Sequence, residues 1–196
     1  MKRFRKILIV LLAILVPVSI GFGFNFFSGE SSDSAENQAM TVEGTLTINQ
    51  ISEAQNLVPG DKICKGVTMN ITSSAVSLLR VKVDIYCADS KTAETDIAPI
   101  KNAGDNWLKG SDGYYYYTQG VKNGDIVKLA EGGIYFNGIN DNVNMNKYQG
   151  EKIKVVANAE LVQAKHGVFA EKWGLSENKD GDIYTKLKKI SNDQGQ

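Results

Sequence analysis

The chain has 196 residues, with 22 basic and 22 acidic side chains, one histidine and two cysteines, a size that suits one domain with an appendage. Balanced charge offers no bulk attraction for nucleic acid. A lone histidine excludes sites that need two, the His-Glu-x-x-His zinc helix among them.

In chain order, Lys2, Arg3, Arg5 and Lys6 precede an uncharged run of 18 residues from Ile7 to Phe24. A basic start followed by an apolar core is the pattern of a secretory signal or a membrane anchor, and residues 1–27 are read as that segment. Its length reaches the roughly 18–20 residues that span a bilayer. The small pairs Ser19/Gly21 and Gly21/Gly23, behind Pro17, offer a peptidase its places to cut. Cleaved and retained forms both stay open, and in either form the rest of the chain is expected outside the membrane. Cleavage removes four of the 22 basic groups and no acidic one, leaving a net charge of −4, a poor match for DNA or anionic lipid.

Residues 28–40 include Gly29 to Gln38, a small, polar, acidic stretch that reads as a flexible tether. Residues 41–175 follow a period of two. Val42, Leu46 and Ile48 alternate with polar neighbours, and Val58-Pro59-Gly60-Asp61 is a turn. Lys62 to Ile71 reads as one strand. In the next, Leu79, Val81, Val83 and Ile85 share a face while Arg80, Lys82 and Asp84 mark a wet one. Thr92 to Asn102 suits a short helix or a loop, and Trp107 closes it. Tyr114 to Gln119, Ile126 to Phe136 and Lys152 to Ala164 supply further strands, and Val168 to Trp173 a helical turn. The charged tail, 176–196, has only Ile183, Leu187 and Ile190 at helical spacing and reads as loose or weakly helical. Short strands, turn signals and few short helices predict an all-β fold. The specific expectation is an antiparallel β-sandwich, jelly-roll-like, behind the N-terminal apolar helix.

Chemistry is sparse. Neither a nucleophile–base pair nor a phosphate-binding glycine loop is legible, and His166, between Lys165 and Gly167, reads as an exposed turn. Asn178 to Asp182 is faintly like a calcium loop, but its glycine comes too early and Lys189 stands where a glutamate is needed; a solvated turn is the expectation. No catalytic residue, metal site or cofactor is expected. Cys64 and Cys87 fit an exported chain holding one disulfide. Strand parity argues against the pair, because Cys64 points away from the Ile63 face while Cys87 falls on the Ile85 face; a bulge would restore it. In the run Tyr114-Tyr115-Tyr116-Tyr117, alternate rings face opposite sides. One pair is expected to fill a core. A rival reading takes Tyr115 and Tyr117 as an outward pair that forms a sugar-stacking platform with Trp107.

Four sets of residues in order resemble the TasA/camelysin family of biofilm-matrix and surface proteins of Gram-positive bacteria, its clostridial matrix-protein branch in particular. They are Val58-Pro59-Gly60-Asp61 with Ile63; Arg80-Val81-Lys82-Val83; Trp107, Asp112-Gly113, Tyr114 to Tyr117 and Gly124; and Ala159-Glu160, Val162-Gln163-Ala164 and Trp173-Gly174. Asn25 and Phe26, before Phe27-Ser28-Gly29, depart from the small residues the family carries at its cleavage site. The resemblance implies a jelly-roll sandwich exported through a dedicated signal peptidase to the matrix or cell surface. Its partners would be copies of itself and other matrix or surface components. In fibre-forming relatives one subunit's N-terminal segment adds as a strand to its neighbour, which an open sheet edge permits. Phe22, Phe24 and Phe26, or Val42, Leu46 and Ile48, are the candidate donors. Camelysin-like proteins are also classed with metallopeptidases, so a surface zinc peptidase is the enzymatic alternative; beside one histidine its ligands would have to be carboxylates or thiolates.

Overall fold

In a computed structural model, the described residues are 44–49, 51–87, 90–137, 148 and 150–194. The apolar run, the tether, Phe22, Phe24, Phe26 and Val42 lie outside them. The strands are β1 (Gly44–Asn49), β2 (Ile51–Ala54), β3 (Lys62–Cys64), β4 (Val67–Ser73), β5 (Ser77–Cys87), β6 (Trp107–Lys109), β7 (Tyr114–Tyr117), β8 (Ile126–Leu129), β9 (Ile134–Tyr135) and β10 (Ile153–Gln163). Two helices follow, α1 (Val168–Trp173) and α2 (Glu177–Asp193). Thr92 to Asn102 contains only a 3-10 turn at Thr95–Ile97. Among the described residues no helix is long and apolar enough to cross a membrane.

The chain is thus mostly strand with few short helices, and its named strand pairs are antiparallel. Three strands form a sheet in the order β1-β4-β8, five form β2-β10-β5-β7-β6, and β3 pairs with β9. The two larger sheets share one core. Val67, Met69, Ile71, Val127 and Leu129 enter it from the first, and Leu79, Val81, Ile85, Ile153 and Val155 from the second. In β4 the period-two pattern is obeyed throughout, with alternate residues from Val67 to Ser73 buried.

Two stretches expected as single strands are divided. The first runs through β1 and β2 and changes sheet between Asn49 and Ile51, so β1 pairs with β4 and β2 with β10. The second breaks at Gly66, whose φ of +96° turns the chain between β3 and β4. Parity fails in β3 for a related reason. Its register with β9 shifts between Lys62 and Cys64, and Ile63 and Cys64 are both buried in the core that also holds Cys87. The two cysteines considered as a disulfide pair are thus both buried and share one core.

The largest departure is at the C-terminus. The segment expected to be loose or weakly helical is α2, a well-formed helix of 17 residues that buries Ile183 and Leu187. With α1 it forms a second core over the other face of the five-stranded sheet, joining Leu78, Tyr116, Val162, Phe169 and Trp173. That cover also changes the face of β5 expected to be wet. Leu78 is fully buried and Arg80 is half-buried against Trp173. Asn178 to Asp182, expected as a solvated turn, opens α2; the helix breaks locally at Gly181, with φ 34° and ψ −102°. Asp180 Oδ2 accepts the Ser176 N–H at 2.9 Å, fixing the start of the helix.

Candidate functional site

Register brings three of the sequence motifs to one point. Arg80 of β5 lies directly opposite Glu160 of β10 on one side and Tyr116 of β7 on the other. Its Nε and Nη2 donate to Glu160 Oε2 at 3.0 and 2.7 Å, and Nη1 donates to the Tyr116 hydroxyl at 3.3 Å. Asp112 Oδ2 stands 3.8 Å from Nη1. The guanidinium also lies 4.0 Å from the centre of the Tyr114 ring and 5.0 Å from that of Trp173, both within cation–π range.

The turn before β7 supplies the rest. Gly110 donates its N–H to Tyr114 O at 2.7 Å, and Asp112 Oδ1 accepts the Tyr114 N–H at 3.1 Å. Gly113, at φ +85°, takes the left-handed position that an L side chain disfavours. Asp112 Oδ2 then accepts the Tyr116 O–H at 2.6 Å, while Tyr114 O–H donates to Glu160 Oε1 at 2.9 Å. Tyr116 meets Trp173 of α1 edge-on at 5.7 Å. One cation, two carboxylates and three aromatic rings therefore hold each other at the seam between the sheet and the helical layer. Among the described residues the buried Trp173 indole N–H has no hydrogen-bond partner. Such mutual engagement suits an anchor better than a reactive group.

Electrostatics agree. Burial works to lower the Arg80 pKa, yet the hydrogen bonds to Tyr116 and Glu160 and the Glu160 charge outweigh it and hold the guanidinium above its ordinary value. Tyr116 is pushed far upward by burial and then by its bond to the Asp112 carboxylate. Tyr114 rises through burial and Glu160, and Tyr115 through burial alone. Neutral tyrosines with raised folded-state values add stability that is fully present below the ordinary tyrosine pKa of about 10 and is lost as pH climbs beyond it. Urea midpoints should therefore hold steady up to about pH 10 and fall above it. In Tyr116→Phe that alkaline fall should be shallower; an unchanged slope would remove Tyr116 from the linkage.

The tyrosine platform is not formed. Tyr115 and Tyr117, taken as the outward pair, face the shared core, with Tyr115 only 6 % exposed, and Tyr114 and Tyr116 pack against the second core. Trp107 is 7 % exposed, its indole N–H donates to Lys128 O at 2.8 Å, and its ring lies 5.0 Å from Tyr117. A run of four aromatics is stable here because both faces of the sheet are covered.

The other marked residues are structural in the same sense. Asp61 Oδ2 accepts the Val58 N–H at 2.8 Å, and Gly60, at φ +96°, donates to Phe136 O at 2.9 Å, tying the turn to the segment after β9. Val81 is fully buried; Gln163 pairs with Ser77 at the end of β10, and Gly174 ends α1 in the left-handed region. Leu46 and Ile48 of β1 stand opposite Ile71 and Met69. His166 is exposed. Among the described residues no group of three or more histidine, cysteine, aspartate or glutamate side chains could hold a metal ion. Glu160, the partner that completes the cluster, is the residue that sequence reasoning did not single out as a site; only the β5–β10 register reveals its role. Set against known proteins, the chain matches no family model, no curated protein and no solved structure.

Proposed function

We propose that this is a secreted structural protein of the biofilm matrix or cell surface, a fibre-forming subunit with a jelly-roll sandwich that assembles by strand addition. In this reading residues 1–27 act as signal or anchor, a signal peptidase acts during export, and the partners are further copies and other matrix or surface components. The observation that carries it is the position of β1. This strand is at an edge of its sheet and pairs with β4 from Gly44 opposite Ser73 to Asn49 opposite Thr68. A self-contained subunit and a fibre then differ only in whose β1 lies on β4, because the backbone ladder is the same in both.

Thr45 and Thr72 stand directly opposite each other in that register, and Thr72 is exposed. A Thr45→Cys/Thr72→Cys variant released by its native host and oxidised should run as a disulfide-linked ladder if strands are shared. A single monomeric band, with dispersed particles by negative-stain microscopy, would overturn the fibre reading.

A further inference from the structure

We infer that Trp107 seals the β8 edge of the three-stranded sheet against pairing with a strand of another copy. The direction of the β8 backbone carries the argument. Ile71 of β4 donates to Asp125 O and accepts from the Gly124 N–H, both at 2.9 Å. Backbone groups of alternate residues point the same way along a strand, so those of Val127 and Leu129 face β4 and those of Ile126 and Lys128 face outward. An outward row of this kind is the template another strand would use. Here the C-terminal part of the row is occupied. Lys128 O receives the Trp107 indole N–H at 2.8 Å, and just beyond it Ala130 N–H donates to Ala103 O at 3.1 Å.

Trp107 is itself part of β6, the edge strand of the five-stranded sheet. One buried side chain therefore ties the edge of one sheet to the edge of the other. Gly104, at φ +106°, brings its backbone close to the ring: a Cβ there would stand 3.4 Å from Trp107 Cδ1. The edge has reason to be covered, since Ile126 is 64 % exposed on it, and an exposed apolar edge strand is an association hazard. With β8 sealed, strand pairing at this sheet is directed to β1. The inference rests on the fold and stands apart from the fibre reading.

The test uses the full chain with Ile126→Cys as a reporter of β8 meeting β8, in three backgrounds: Trp107 intact, Trp107→Phe and Trp107→Ala. Phenylalanine keeps the ring packing and removes the N–H. Intermolecular cross-linking through the introduced thiol should be lowest with Trp107 intact and rise about fivefold with phenylalanine, the population change expected from one lost hydrogen bond. It should rise further with alanine. Equal cross-linking in the intact and phenylalanine backgrounds, both with folded-state circular dichroism, overturns the seal. The reporter reads β8 alone, so absence of fibres leaves the result interpretable.

Discussion

Arg80→Ala lowers the free energy of unfolding by about 3–5 kcal/mol, the cost of leaving one member of a buried ion pair without its partner. The Arg80 and Glu160 side chains are only 11 % and 18 % exposed, so water compensates little for the lost guanidinium. The substitution also removes the donor to Tyr116 and the cation between the Tyr114 and Trp173 rings. Lysine restores charge but neither the two-pronged contact with Glu160 nor the planar stack, and Arg80→Lys should recover less than half of the loss. The double variant Arg80→Met/Glu160→Leu should be more stable than Arg80→Ala, since it leaves no buried charge unpaired. Denaturant unfolding of the four proteins decides it. A loss below about 1 kcal/mol for Arg80→Ala would be that of a surface pair and would demote the cluster from anchor to decoration.

Gly66→Ala is expected to cost about 4 kcal/mol or more, among the largest effects a single methyl group can have. A Cβ at this position would stand 2.2 Å from Ala130 O and 2.7 Å from Leu129 O, and both obstacles are backbone. Neither atom can swing aside as a side chain would. Relief requires moving the end of β8 away from β4, whose first pair is Val67 opposite Leu129. Gly60 and Gly113 provide the control, because both have positive φ but nothing within 4 Å of a built Cβ. Their alanine variants should pay only the left-handed backbone cost of about 1–2 kcal/mol. Similar losses at all three glycines would show that dihedral strain, not the close approach to Ala130, governs Gly66.

Local pattern was legible wherever one strand met one core. The alternation in β4, the inner face of β5 and the exposed turn at His166 could all be read from neighbouring residues. What escaped was whatever depends on a second partner. Ile183 and Leu187 carry helical spacing, but nothing near them in sequence indicates that Leu78 and Val162 wait on the far face of a sheet. For the same reason Arg80 looked solvated: the helical layer that covers it begins almost ninety residues later. Cys64 misled because a register shift breaks parity within three residues. The residues of the Arg80 cluster were marked by the motifs they belong to, yet only the pairing of β5 with both β7 and β10 turns those motifs into one site.

The place of β10 bears on how the protein acquires its shape as it is made. This strand sits between β2 and β5 in the five-stranded sheet, yet among the described residues it is the last strand. While the polypeptide emerges from its N-terminus onward, β2 has no neighbour and β5 lacks one of its two until Gln163 is clear. The helices that cover the other face arrive later still. Such dependence on distant segments favours slow, late folding. The five-stranded sheet therefore closes only in the final fifth of synthesis, when β10 slots between two strands made long before it.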